Sequence, residues 1–194
     1  MTRTSVEWSV LAAAVAAAIT VPLVAAQQPA PPYPVAKPER TAAAGTAARG
    51  EQLAMLGGCH DCHTPKLPNG DIDFSRPLMG HPANAPLAPA VVGGVSSNML
   101  LTAWRGPWGL TLARNLTPDK ETGIGTWTLA DFKKAIRTGV NPKGEVIRPP
   151  MPIPNLQNLP DADLEAIYKY LMTLKPVRNH VGRTETEKTQ PGGK

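Results

Sequence analysis

The sequence predicts a small all-α domain in which a few short helices surround a long irregular region. Two helical patterns, in which apolar residues recur every three or four positions, begin near Thr128 and Asp161. A shorter helical pattern runs from Ala47 to Gly57, where two successive glycines end it. Residues 64–125 are rich in Pro, Gly and Asn, and an irregular region of that length is unusual in a compact domain unless something orders it.

A short cysteine motif indicates what orders that region. Cys59 and Cys62 are the only cysteines, and His63 directly follows the second one in a C-x-x-C-H pattern. Two thiols at this spacing can add to the two vinyl groups of haem, and the adjacent imidazole can bind the iron. The motif therefore predicts one covalently attached haem c, held by Cys59 and Cys62, with His63 as an axial iron ligand. Irregular chain can then use the large apolar ring as its core.

Other interpretations of the same motif remain open. A structural zinc site usually has four N or S ligands, and no second Cys or His pair at a similar spacing follows in this sequence. A thioredoxin-like disulfide also uses C-x-x-C, but it belongs to a βαβ pattern that is not visible here. A reactive dithiol and a chance match are the remaining alternatives. His60 and Asp61, between the cysteines, are predicted to be exposed spacers.

Residues 1–26 have the composition of a secretory signal peptide. Arg3 precedes an Ala- and Val-rich apolar stretch that ends in small residues, and we expect cleavage after Ala26. The same stretch is long enough to act instead as an uncleaved membrane anchor. Because haem is attached to C-x-x-C-H motifs on the outer side of the bacterial cytoplasmic membrane, the protein is expected in the periplasm, either free or tethered through this segment.

The rest of the chain divides into three parts by composition. Residues 27–47 are rich in Pro and Ala and lack apolar periodicity, which is typical of a semi-extended linker. Residues 48–177 have the length of one ordinary domain, and the apolar run Val91–Trp104 within it is predicted to hold a short helix. Residues 178–194 contain too few apolar side chains to form a core, so disorder is predicted there.

The two C-terminal helices are the clearest predicted elements. The Thr128 side chain is predicted to cap the amide of Asp131, and this helix is expected to end at Gly139. The last helix is predicted over Asp161–Leu174, with Asp161 as its N-cap. Its apolar positions have the i, i+3, i+4, i+7 spacing of one helix face: Leu164, Ile167, Tyr168 and Leu171.

This order of helix, C-x-x-C-H motif, loops and helices resembles the class I c-type cytochromes, over about residues 48–177. In that family a Met from the loop before the last helix is the second axial ligand. The segment RPPMPIPNLQNLPDADLEAIYKYLMTLKPV resembles that loop and helix. The resemblance implies that Met151 binds the iron together with His63, and that the prolines around Met151 stiffen its loop. A Met thioether is a soft ligand that raises the haem potential.

Several other residues compete with Met151 or support His63. Met79 and Met99 are the rival thioether ligands, although core packing is the ordinary role of a Met. His81 would give a bis-His haem, although a surface or hydrogen-bonding role is more usual for such a residue. The segment SRPLMGHP resembles a family loop in which a backbone carbonyl accepts the ring N–H of the ligand His, with Pro77 as the candidate.

Four further residues are interpreted through the same resemblance. Gly50 and Tyr170 resemble the small and aromatic residues at which the first and last helices of this fold cross closely. Trp127 is a candidate to hydrogen-bond a haem propionate, and Arg148 is a candidate to pair with one. An ordinary core Trp and a surface Arg are the alternative interpretations.

A longer segment narrows the resemblance. ARNLTPDKETGIGTWTLADFKKAIRTGVNPKGEV resembles cytochromes associated with bacterial alcohol, aldehyde and sugar-acid dehydrogenases, although those usually carry several haem domains per chain. The resemblance implies a one-electron carrier, not an enzyme, that connects a dehydrogenase or quinol-oxidising donor to a terminal oxidase or other acceptor. One alternative is a haem relay subunit of a membrane-bound dehydrogenase or respiratory complex. Another is a haem enzyme or gas sensor with an open sixth site on the iron.

The charge of the chain bears on its partners. Lys and Arg number 20 against 15 Asp and Glu, which gives a net charge of +5, and removal of residues 1–26 takes away one Arg and one Glu and leaves it unchanged. A basic carrier is expected to be steered towards acidic docking faces at rates that fall as salt rises. The charges are scattered and form no nucleic-acid motif, so nucleic acid is not an expected partner.

Overall fold

The computed structural model describes residues 43–182. The predictions made for residues 1–26, for most of the linker and for the end of the tail therefore lie outside the described residues. Within residues 43–182, no helix is both long and apolar enough to cross a membrane.

The described residues form five helices and a small antiparallel sheet whose strands lie in the order β1-β2-β3. In chain order the elements are α1 (Ala47–Leu56), α2 (Cys59–His63), β1 (Ser96–Ser97), β2 (Ala103–Gly106), β3 (Gly109–Leu112), α3 (Leu129–Thr138), α4 (Ile153–Leu156) and α5 (Asp161–Thr173).

The sheet corrects the prediction of a purely α-helical domain. No helix occurs in Val91–Trp104, where the structure instead has β1 and the start of β2. Strand β2 pairs with β3 through a tight turn that places Gly106 opposite Gly109, with Pro107 and Trp108 between them. Proline at the second position of a turn favours this reversal. Strands of two to four residues are too short to give a reliable alternating pattern, which is why the sheet was not predicted.

Helix α3 confirms the predicted capping. The Thr128 hydroxyl accepts from the Asp131 amide at 3.1 Å, and the Asp131 carboxylate in turn accepts from the Thr128 amide at 2.9 Å. Gly139 ends the helix in the left-handed conformation, with φ of +68°. These reciprocal bonds satisfy amides that the first turn of a helix would otherwise leave without partners.

Helix α5 agrees with its predicted extent, but its N-cap was wrongly predicted. Pro160 occupies the cap position, and no side chain caps the helix there. Asp161 instead accepts from Lys133 at 3.2 Å and from Arg137 at 2.7 Å, so its carboxylate connects the start of α5 to α3. The proline presets the backbone at the start of the helix, and it leaves the aspartate free to pair with α3.

The main hydrophobic core joins α3 and α5 to the irregular region. Its buried members come from the two helices and from the irregular region: Leu78, Ile124, Phe132, Ile136, Leu164, Ile167 and Leu171.

Helix α1 crosses α5 at Gly50, where an added Cβ would overlap the Ala166 carbonyl. Gly50 therefore lies at the close helix crossing that the family resemblance implied.

The packed part of the domain continues beyond Val177, where the sequence predicted a disordered tail. Asn179 is buried, and its amide group donates to the backbone carbonyls of Met79 at 2.7 Å and His81 at 2.9 Å. Val181 packs against a second small core cluster next to the sheet. Because the side chain of a buried Asn can hydrogen-bond several backbone groups at once, a polar segment can still be ordered and packed against the domain.

Candidate haem-binding site

Helix α2 carries both cysteines and His63 within a single five-residue segment. It begins directly after α1, and the two helices are separated by Gly57 and Gly58, the latter with φ of +68°. Burial raises the pKa of the Cys59 thiol to about 11 and also raises the pKa of Cys62. Both side chains are therefore neutral thiols at neutral pH, whereas a redox-active dithiol requires a lowered cysteine pKa. The raised pKa values therefore argue against the reactive-dithiol interpretation.

His63 is buried and held in one orientation. Its Nδ1–H donates to the backbone carbonyl of Arg114 at 2.7 Å, which leaves Nε2 without a proton and able to act as a donor atom for a metal. Burial lowers the pKa of the His63 imidazole and so favours its neutral form. A neutral imidazole with one nitrogen fixed by a carbonyl is the arrangement that haem iron ligation requires.

The carbonyl that holds His63 is not that of Pro77. The loop that contains Pro77 instead donates from the Gly80 amide to the carbonyl of His63 at 2.8 Å. Residues 78–81 are also hydrogen-bonded to residues 113–116. The His81 amide donates to the Ala113 carbonyl, and the Leu116 amide donates to the Leu78 carbonyl. These bonds place the Arg114 carbonyl against the ring. The Pro77 assignment was therefore wrong, because the acceptor comes from a distant segment.

His60 was wrongly predicted to be an exposed spacer, since only 2% of its surface is accessible. Its Nδ1 lies 2.9 Å from the Thr64 hydroxyl, and its ring packs against Phe74 with the ring centroids 5.3 Å apart. The Tyr170 hydroxyl lies 3.4 Å from the other ring nitrogen. His60 therefore fixes α2 against α5. Asp61 is exposed, as predicted.

Met151 lies half-buried just before α4 and packs against the main core cluster, as does Cys59. The structure thus brings Met151 and one attachment cysteine to the same core. Of the rival thioethers, Met79 is buried and Met99 is 90% exposed. His81 is also buried, and its Nδ1 lies 2.9 Å from the Thr102 hydroxyl, which gives it the hydrogen-bonding role expected of an ordinary histidine. The ligand role of Met151 remains a prediction.

Two buried donors in the described part of the chain have no hydrogen-bond partner there. They are the indole Nε1 of Trp108 and the hydroxyl of Thr111, both in the β2–β3 hairpin. Arg148, three residues before Met151, donates to the Trp108 carbonyl at 3.3 Å. A buried donor without an acceptor is costly. The carboxylates of a haem would supply acceptors of the required kind.

Arg148 was predicted from the sequence for this role, whereas Trp108 was missed. Trp127, the other predicted residue, packs against the main core, and its carbonyl accepts from the Tyr168 hydroxyl at 2.8 Å. The turn Gly106-Pro107-Trp108-Gly109 was the only available signal for Trp108. The donor set as a whole fits a c-type haem: two neutral thiols, an imidazole with a free Nε2, a half-buried thioether and hydrogen-bond donors for carboxylates.

Known proteins resemble about two thirds of this chain. A subunit of the nicotinate dehydrogenase of Pseudomonas putida is 36% identical over 67% of the chain. The cytochrome c subunit of a quinone-dependent alcohol dehydrogenase from Gluconobacter oxydans is 35% identical over 66% of it. A dihaem cytochrome c-type protein of Cereibacter sphaeroides is 29% identical over 68% of it. No protein-family model matches the chain.

The matched segment is only a part of each relative. It covers 9% of the nicotinate dehydrogenase subunit, 22% of the alcohol dehydrogenase subunit and 37% of the dihaem protein. The likeness is therefore one of a domain, and it agrees with the cysteine motif and with the neutral, oriented imidazole of His63. We identify the chain as a member of the c-type cytochrome family, related to the cytochrome subunits of bacterial dehydrogenases.

Proposed function

We propose that this protein is a periplasmic one-electron carrier with a single c-type haem attached to Cys59 and Cys62. His63 and Met151 would be the two axial ligands. The proposal rests on the hydrogen bond from His63 Nδ1–H to the Arg114 carbonyl, which leaves Nε2 without a proton on the same short helix as the two thiols. The haem would supply one-electron chemistry, because its iron alternates between two oxidation states.

The chain's own residues would perform three tasks. Cys59 and Cys62 provide neutral thiols for attachment. The Arg114 carbonyl fixes the plane of the His63 ring, so that ligation needs little rearrangement. Three prolines, Pro149, Pro150 and Pro152, flank Met151 and restrict its loop, which supports a persistent sixth ligand over an exchangeable one.

The number of haems and the partners form part of the proposal. Two cysteines allow one doubly attached haem per chain, although one relative is a dihaem protein. The alcohol dehydrogenase relative is a cytochrome subunit, which supports a dehydrogenase as donor and keeps the relay-subunit alternative in view. A quinol-oxidising donor and a terminal oxidase or other acceptor fit the same role. Residues 1–26 would direct export, or would tether the protein to the membrane if they are retained.

An absorption spectrum of the exported protein tests the proposal. We expect covalent haem, a weak ferric band at the red end of the spectrum from Met ligation, and no carbon monoxide adduct of the reduced form. Met151→Ala should abolish that band and permit the adduct. Met99→Ala should change neither, because Met99 is almost fully exposed.

Two outcomes would contradict the proposal. Ready carbon monoxide binding by the unmutated protein would indicate an open sixth site and favour a haem enzyme or a gas sensor. Absence of covalent haem would remove the basis of the electron-carrier role altogether.

A further inference from the structure

Lys66 is a buried lysine that lies directly behind the haem-attachment helix. Only 7% of its surface is accessible. Its Nζ donates to three backbone carbonyls, those of Asp61 at 2.7 Å, Thr64 at 2.9 Å and His60 at 3.2 Å. These carbonyls belong to α2 and to the residue after it, where a helix end has few backbone donors. Within the described residues, only the His60 carbonyl of the three also accepts from a backbone amide, that of Thr64 at 3.2 Å.

The three bonds indicate that the Lys66 side chain is protonated. An ammonium group has three N–H donors, whereas a neutral amine has only two, and Nζ serves three acceptors. All three acceptors are neutral carbonyls, so the bonds do not cancel the charge. Burial lowers the pKa of Lys66, while the nearby Asp61 carboxylate acts in the opposite direction.

A buried charge near the haem has a predictable effect on haem chemistry. Oxidation of the iron adds one positive charge, so a fixed cation nearby disfavours the ferric state relative to the ferrous state. Solvent and salt screen an interior charge much less than a surface charge. The carbonyls of α2 also hold Nζ in one place, on the same short helix that carries His63.

We propose that Lys66 is a fixed internal cation that raises the reduction potential of the haem and locks the haem-attachment turn. The inference rests on the proposed haem function. It assigns the potential of this protein partly to a residue three positions beyond the predicted iron ligand His63, held by backbone carbonyls of the haem-attachment helix. The same three hydrogen bonds produce both effects, since they immobilise the turn and the charge together.

The test compares the midpoint potentials of purified holoprotein variants. Lys66→Met removes the charge and all three donors, whereas Lys66→Gln removes the charge and keeps two donors. We expect both variants to have a lower potential than the unmutated protein, with a several-fold smaller ferrous fraction at a fixed ambient potential. Lys143→Met, at an exposed position, is the matched control and should leave the potential nearly unchanged.

The outcomes separate charge from structure. Unchanged potentials in both Lys66 variants would overturn the inference while leaving the electron-carrier proposal intact. A lower potential in Lys66→Met alone, with Lys66→Gln like the unmutated protein, would also overturn it, because hydrogen bonding and not charge would then be responsible. If Lys66→Met does not take up haem, Lys66→Gln decides the question. Absence of covalent haem from the unmutated protein would instead refute the proposed function.

Discussion

The orientation of His63 depends on one backbone carbonyl, and the position of that carbonyl depends on a glycine. Gly80 lies against the Arg114 carbonyl, which accepts the ring N–H of His63. A Cβ at Gly80 would come within 2.7 Å of that oxygen and within 2.5 Å of the Ala113 oxygen. Gly80 also has φ of +78°, where an L side chain is strained. Glycine is therefore required at position 80 both for the positive φ and for the close approach to the backbone of Ala113 and Arg114.

We predict that Gly80→Ala weakens both folding and ligation by His63. Backbone strain should cost about 1–2 kcal/mol, and the overlap should displace the Arg114 carbonyl in addition. Urea unfolding would measure the loss of stability, and the absorption spectrum would report altered ligation. Gly70→Ala is a matched control, because Gly70 has φ of +91° with open space around it. Equal effects of the two substitutions would contradict the role assigned to the Arg114 contact.

Among the elements, the crossing of α1 and α5 is set by the absence of a side chain. Gly50 faces the backbone of Ala166 so closely that no Cβ can be accommodated. At an exposed position of α1, alanine would stabilise the helix more than glycine does. At the crossing, the contact with Ala166 outweighs that intrinsic preference.

Gly50→Ala should therefore destabilise the protein although alanine is the better helix former. Forced separation of packed elements typically costs about 1–3 kcal/mol. The midpoint of urea or thermal unfolding measures this cost. Glu51→Ala, at the next and exposed position of α1, should change the stability by less than about 0.5 kcal/mol. A neutral Gly50→Ala variant would show that the two helices can move apart without loss.

The β2–β3 hairpin gives a second prediction at this scale. Trp108→Phe retains an aromatic ring over Gly106 but removes the buried N–H that has no partner among the described residues. If that N–H meets a haem carboxylate, its removal raises the carboxylate pKa, because a donor favours the ionised form. The pH dependence of the haem potential should then shift to higher pH. Trp104→Phe should not shift it, because the Trp104 indole N–H already donates to the Leu101 carbonyl at 3.1 Å. Identical curves for all three proteins would exclude Trp108 from this role.

For the whole molecule, the sequence predicted the parts whose signals are local. Helix α3 follows from its apolar spacing and from the Thr128–Asp131 pair, which lie three residues apart. The contacts of His60 could not be predicted in this way, because Tyr170 lies 110 residues away along the chain. The Arg114 carbonyl lies 51 residues from His63, and Asn179 lies 100 and 98 residues from the two carbonyls to which it donates. Local motifs thus identified the candidate site, while long-range backbone contacts determine its geometry.

Acid stability is a further property of the whole molecule. The His81 ring is buried against Thr102, and burial lowers its pKa below the ordinary value of 6.5. As pH falls through 6.5, the unfolded chain takes up a proton at this position while the folded protein does not. The free energy of unfolding should therefore decrease with falling pH until the lower pKa of the folded state is reached. One such histidine contributes at most about 1.4 kcal/mol per pH unit.

We predict that His81→Gln reduces this loss of stability between about pH 7 and pH 5. Urea unfolding of the holoprotein at several pH values gives the slope for each variant, and the slope matters more than the absolute stability, which the substitution also lowers. His180→Gln is the control, because His180 is exposed. An unchanged slope in His81→Gln would mean that other groups, such as the buried His60, account for the acid sensitivity. A reduced slope would show that the segment around His81, to which Asn179 is hydrogen-bonded, helps to set the lowest pH at which the protein stays folded.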